Sequence, residues 1–155
     1  MTLQRSGGKR RGTLTLSRYV LARNGVPLGS PGSLQNMLRR SLGAASFAGF
    51  WRSWNPIWGY YLGKYVYQPS KRILPPPLAL VLTFLVSGAI HDLVTTVVRG
   101  SPTALFTPWF FFMSLGVLVG EMMGMDLSAR PLRVRVVTNL TYVGAFLWIA
   151  LRFRI

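Results

Sequence analysis

Apolar residues in this chain gather into long unbroken runs instead of alternating with polar ones. From Leu78 to Val98 (LALVLTFLVSGAIHDLVTTVV) only His91 and Asp92 are ionisable, and as a helix the run is long enough to cross about 30 Å of hydrocarbon. A second run, Thr107 to Met125, places Pro108 where a missing backbone donor costs little. It follows with Trp109 and three Phe, and it holds one acid, Glu121. A third, Val134 to Leu151, is interrupted by Arg135, Asn139 and small polar residues, with Arg152 and Arg154 placed to snorkel at its end. The pattern predicts an all-α integral membrane protein whose transmembrane domain, residues 75–155, holds three helices at about 78–98, 107–125 and 134–151.

Ahead of these runs, residues 42–74 are crowded with Trp51, Trp54, Trp58, Tyr60, Tyr61, Tyr65 and Tyr67. Trp and Tyr concentrate where one end of the ring meets hydrocarbon and the other meets water. Pro56 interrupts any helix near Asn55, so this segment is predicted to lie in the interface as two short amphipathic helices with a kink. Residues 1–41 form the remaining unit. Their first 34 positions are rich in Gly, Ser, Arg and Pro, which bury too little apolar area to order alone, and a flexible basic arm is expected.

Charge gives the layout a direction. The 155 residues carry 18 Lys+Arg against 3 Asp+Glu, a net charge of +15, while half the chain is hydrophobic and the mean hydropathy is +0.35. A soluble basic protein would disperse its apolar positions, so the charge belongs to the parts outside the bilayer. Residues 1–72 hold 12 of the 18 cations and no acid, which places the N-terminus on the cytoplasmic side, in a bacterial cytoplasmic membrane. An acid-free start with Arg and Ser also fits an organellar transit segment, the secondary reading. Anionic lipid head groups are the expected partner of the arm. Cysteine is absent, and one His with three scattered acids supplies too few ligands for a metal. There is no Walker A loop and no Rossmann glycine pattern, and the arm lacks interleaved aromatics, so neither nucleotide nor nucleic-acid binding is expected.

The candidate chemistry centres on His91, the only histidine. An ionisable residue at membrane depth is costly, so it faces a protein interior or a wet cavity. Ser87, His91 and Thr95 share one helix face, and that polar stripe requires a polar neighbour. Imidazole can take a proton from a hydroxyl at neutral pH, which suggests general-base chemistry on an alcohol; a histidine simply hydrogen-bonded to a neighbouring helix is the plainer alternative. Asn55 either caps the turn that follows it or donates to an oxyanion, the cap being favoured. Gly116, Gly120 and Gly124 repeat every four residues and predict a helix-packing groove. Glu121 is either a functional acid or the partner of an Arg. A helical count sets it roughly 10 Å from the depth of His91, which argues against a direct pair.

The order of features, Phe50-Trp51-Arg52-Ser53-Trp54-Asn55 followed 36 residues later by a membrane helix with Ser87-Gly88-Ala89-Ile90-His91-Asp92, resembles the membrane-bound O-acyltransferase family. Within it the likeness is to the wax-synthase and sterol or diacylglycerol acyltransferase branch, over roughly residues 45–125 and as a short, truncated relative matching the C-terminal part. Asp92 stands where the family motif carries Glu. The resemblance implies transfer of a fatty acyl group from acyl-CoA to a lipid alcohol, with no other cofactor and with lipid bound. It implies His91 as catalytic base and Asn55 as its auxiliary, with Asp92, Ser87, Glu121 and Trp54 in support. Arg52, Lys64, Lys71 and Arg72 would meet coenzyme A phosphates or lipid head groups. Family enzymes enclose their tunnel with more helices than this chain has. Either a homo-oligomer or a larger membrane complex completes it, or the chain is a non-catalytic accessory subunit, as in an energy-converting complex, that keeps the scaffold.

Overall fold

The computed structural model describes residues 14–152, and every regular element among them is helical. In chain order these are α1 (Leu16–Asn24), α2 (Ser33–Leu42), α3 (Phe47–Ser53), α4 (Pro56–Leu62), a π-helical turn (Gly63–Tyr67), the single turn α5 (Gln68–Ser70), α6 (Pro76–Arg99), α7 (Phe106–Met122) and α8 (Leu132–Arg152). Two of them, α6 and α8, are long and apolar enough to cross a membrane, while α7 is a shorter apolar helix.

Local chemistry explains the boundaries. Ser46 Oγ accepts the Gly49 N–H at 3.1 Å and starts α3. Asn55 adopts φ 39°, the left-handed region, which breaks the aromatic segment in two at the Pro56 kink. Helix α6 begins at Pro76, where a missing N–H is harmless, and ends at Gly100 with φ 65°. Helix α7 ends before the run of apolar residues does. Gly124 takes φ 61°, its N–H bonds Glu121 O at 3.2 Å, and the Met125 N–H bonds Gly120 O at 2.9 Å, the paired bonds of a Schellman stop. At 17 residues α7 rises about 25 Å, less than the 107–125 crossing expected from hydropathy.

Two further expectations change here. The expected flexible arm, 1–41, contains α1 and α2 from Leu16 onward, and residues 1–13 lie outside the described residues. Composition alone could not show that this stretch has something to fold against. Tyr19 packs edge-on to Tyr60 with ring centroids 5.5 Å apart, and Val20 is buried. The buried Asn24 side chain donates to Ser33 O and Ser33 Oγ at 3.0 and 2.8 Å, and Asn36 Nδ2 returns a bond to Asn24 O at 2.6 Å, which latches α1 to α2. The glycine groove is also reduced to one contact. A Cβ at Gly116 would strike the Phe146 ring of α8, whereas Gly120 and Gly124 face open space and Gly124 acts as the helix stop.

The core forms around α3. Phe47, Ala48 and Phe50 pack on Met113 and Val117 of α7, and Phe47 stacks on Tyr142 of α8 at 5.0 Å. Asn139 of α8, 1% exposed, donates its amide to Leu42 O and Ala44 O at 2.9 and 3.0 Å and so anchors α8 beneath the α2–α3 connection. The aromatic segment therefore does not lie apart from the long helices; it is wedged among them.

Candidate active site

His91 opens onto a cavity of about 390 Å³ bounded by α1, α3, α4, the π-helical turn, α6 and α7. Asn55, Trp54, Arg52, Ser87 and Glu121 line the same cavity, so residues 36 positions apart in sequence face one space. The remaining walls mix aliphatic and small residues with aromatic ones, among them Trp51, Trp58, Phe84 and Phe110.

The imidazole is oriented by its own helix. Its Nδ1–H donates to Ser87 O, one turn earlier, at 2.7 Å. A carbonyl oxygen only accepts, so Nδ1 carries the hydrogen and, in the neutral ring, Nε2 keeps the lone pair. Phe106 and Phe110 of α7 lie against the ring at 5.5 and 5.2 Å, and Trp58 stands perpendicular to it at 6.0 Å. Thr95, which shares the polar face, spends its hydroxyl on His91 O at 2.7 Å. The polar neighbour of the stripe is Trp58, whose Nε1–H donates to Ser87 Oγ at 2.9 Å.

Each residue of the Ser87-Gly88-x-x-His91-Asp92 motif has a distinct task. Ser87 holds both Trp58 and His91. Gly88 lets α6 approach the backbone of Phe106 and Thr107 so closely that a Cβ there would lie 2.7 Å from Thr107 Cα. Asp92 caps α7 from the neighbouring helix. Its Oδ1 accepts from the Leu105 and Phe106 N–H groups at 2.9 and 2.8 Å, and its Oδ2 from the Thr107 N–H and hydroxyl at 2.8 and 2.6 Å. These are the orphan donors of a helix start that has no cap of its own, and a carboxylate there also meets the positive end of the helix dipole.

Asn55 acts as a cap: its Oδ1 accepts the Trp58 N–H at 3.2 Å and its side chain is exposed to the cavity. Glu121 forms an ion pair with Arg52 at 3.2 Å, and both side chains are well exposed. Trp54 stacks on Phe50 at 5.4 Å. Lys64, Lys71 and Arg72 lie outside the cavity lining. The Lys64 ammonium sits over the rings of Tyr60 and Tyr65 at 5.8 and 5.2 Å, and Lys71 over Tyr67 at 5.4 Å. The field of Tyr60, then that of Tyr65, holds Lys64 above the usual lysine range. Among the described residues no group of three His, Asp or Glu side chains gathers as a metal site would require. Three ring contacts of His91, from Trp58, Phe106 and Phe110, belong to no motif in the sequence. The spacing Asn55–Trp58, cap to third residue, was the available signal for the first.

The profile of the membrane-bound O-acyltransferase family matches residues 32–148, a span that includes the whole cavity apart from Tyr19. Diacylglycerol O-acyltransferase 1 of Arabidopsis thaliana is 34% identical over 76 residues, which are 48% of this chain and 13% of that protein. No solved structure matches. The helical architecture, the shared cavity of His91 and Asn55, and the profile match together make this chain a member of the membrane-bound O-acyltransferase family.

Proposed function

We propose that this protein transfers a fatty acyl group from an acyl-CoA thioester to the hydroxyl of a lipid alcohol, in the cavity that His91 and Asn55 share. The observation that carries the reading is the orientation of His91, with Nδ1–H committed to Ser87 O and the ring on the cavity wall. Nε2 takes the proton of the acceptor hydroxyl as its oxygen attacks the thioester carbonyl. The carbon–sulfur bond breaks, the imidazolium returns the proton to the departing thiolate, and an ester and free coenzyme A leave. Aromatic walls suit the acyl chain and an apolar acceptor. Asn55 holds the α4 start and, through it, Trp58.

Arg52 is the cation nearest to hand for the phosphates of the donor, because it alone among Arg52, Lys64, Lys71 and Arg72 lines the cavity. The other three serve anionic lipid head groups at the surface, in a bacterial cytoplasmic membrane with the N-terminus on the cytoplasmic side. No cofactor beyond the thioester substrate is needed, and bound lipid covers the exposed apolar residues of α6 such as Leu93, Val97 and Val98.

The exposed apolar residues of α8, among them Val137, Leu140 and Trp148, leave a face that another membrane protein could cover, which favours a second reading. Under it the chain is an accessory subunit of a larger membrane assembly and keeps the scaffold without turnover. Native mass separates the two architectures, a homo-oligomer or a fixed-ratio complex. The decisive assay supplies labelled acyl-CoA and a panel of long-chain alcohols, sterols and diacylglycerols to protein kept in its own lipids. Ester formation that disappears in a folded His91→Ala variant is the expected result. Undiminished transfer in that variant refutes the mechanism.

A further inference from the structure

Trp58 belongs to no motif that points to chemistry, yet it meets Asn55, Ser87 and His91 in turn. Its backbone N–H is held by Asn55 Oδ1 at 3.2 Å, so the left-handed break at Asn55 fixes where α4 starts and where Trp58 points. Its indole N–H crosses from α4 to α6 and ends on the buried Ser87 hydroxyl at 2.9 Å. Its ring meets the imidazole at 89° with centroids 6.0 Å apart, on a different element from Phe106 and Phe110, which close on the ring from α7.

We infer that Trp58 is the positioning residue of the site: by holding Ser87 and crowding the imidazole edge, it keeps His91 in the orientation that gives Nδ1–H to Ser87 O and Nε2 to the cavity. The inference deepens the acyl-transfer reading and rests on it for its chemical meaning. Half a turn of the imidazole about its Cβ–Cγ bond would put carbon Cδ2 where Nδ1 lies and Cε1 where Nε2 lies, which breaks the bond to Ser87 O and with it the preference for Nδ1–H. Trp58 on one element and two Phe on another flank the ring and oppose that turn. Ser87 connects the two contacts, since one residue receives the indole through Oγ and the imidazole through its carbonyl oxygen. Hydrogen bonds thus link Asn55, Trp58, Ser87 and His91 residue by residue, through different groups of Trp58 and of Ser87.

Because His91 is the only histidine in the sequence, its imidazole nitrogens can be read one by one. Nitrogen NMR of the full chain, labelled at histidine and held in lipid nanodiscs, reports which nitrogen bears the proton in the neutral ring. The wild type is expected to show Nδ1–H as the dominant form. Trp58→Phe keeps an aromatic ring and removes the indole donor, and it is expected to lower the ratio of Nδ1–H to Nε2–H by about two- to five-fold, the effect of one weakened hydrogen bond. Ser87→Ala, which leaves the backbone carbonyl in place, should produce the same shift, and the double variant no more than either alone. A purely structural role would lower thermal stability and leave this ratio unmoved. A wild type dominated by Nε2–H overturns the inference, as does an unchanged ratio in folded Trp58→Phe. No turnover enters this readout, so a chain that fails to transfer acyl groups sinks the proposed function alone, and an unmoved tautomer ratio sinks the positioning role alone.

Discussion

Replacing Asp92 by alanine should loosen the joint between α6 and α7 more than any other single truncation at the site. The carboxylate accepts three backbone N–H groups and one hydroxyl, all between 2.6 and 2.9 Å, and it is 7% exposed. Charged hydrogen bonds are worth about 1.5–3 kcal/mol each, while burying the carboxylate opposes them. Loss of an ordinary helix cap costs about 1 kcal/mol, and each backbone donor left without a partner adds about 1–3 kcal/mol unless water reaches it. A net loss of about 3–5 kcal/mol follows for Asp92→Ala. Asp92→Asn keeps an oxygen for Leu105 and Phe106 but turns its amide donors toward the Thr107 N–H, so about half that loss is expected. Thr107→Val removes only the 2.6 Å hydroxyl bond and should cost about 1 kcal/mol. Tryptophan-fluorescence melting in nanodiscs measures the totals, and amide exchange at residues 105, 106 and 107 localises them. An Asp92→Ala protein that melts with the wild type, its three amides still protected, would refute this account of how α7 begins.

Two further outcomes follow from the geometry. Gly116→Ala drives a methyl into the Phe146 ring and should cost about 1–3 kcal/mol of stability, whereas Gly120→Ala enters open space and should be neutral or slightly stabilising; equal effects in a melting experiment would contradict the packing of α7 on α8. Asp126 accepts the Ser128 N–H at 2.8 Å and its hydroxyl at 2.9 Å, and these bonds, the backbone one foremost, hold its carboxyl below the ordinary value of 3.8. Its contribution to the turn is therefore complete above that value and lost as pH falls through the lower folded one, so the protection of the Ser128 amide, its exchange taken relative to the intrinsic rate at each pH, should fall in acid, and Asp126→Asn should remove that pH dependence.

Much of the architecture was readable because a helix crossing hydrocarbon must satisfy its backbone internally and show apolar side chains all round, which leaves an unmistakable run such as Leu78–Val98. The break at Pro56 was readable for a similarly local reason, since proline removes a donor and clashes one turn back. The family likeness rested on two short motifs whose members turn out to serve one cavity. The end of α7 was not readable from hydropathy, because Gly124 stops the helix by its backbone conformation while the apolar run continues to Met125. The order within residues 16–41 was hidden as well, since Tyr19 and Val20 gain their burial from partners far along the chain.

Local sequence was enough for a membrane-embedded helical protein, for the crowding of basic charge ahead of its long helices, and for a lone histidine at a depth where ionisable groups are expensive. It took the packed helices to show that Asn55 caps α4, that Asp92 caps a helix other than its own, that Glu121 meets Arg52, and that Trp58 reaches Ser87. The division has one physical cause. Hydropathy and backbone breakers act through neighbours in sequence, whereas a hydrogen bond between α4 and α6 depends on where two helices come to rest, and every side chain packed between them has a part in that.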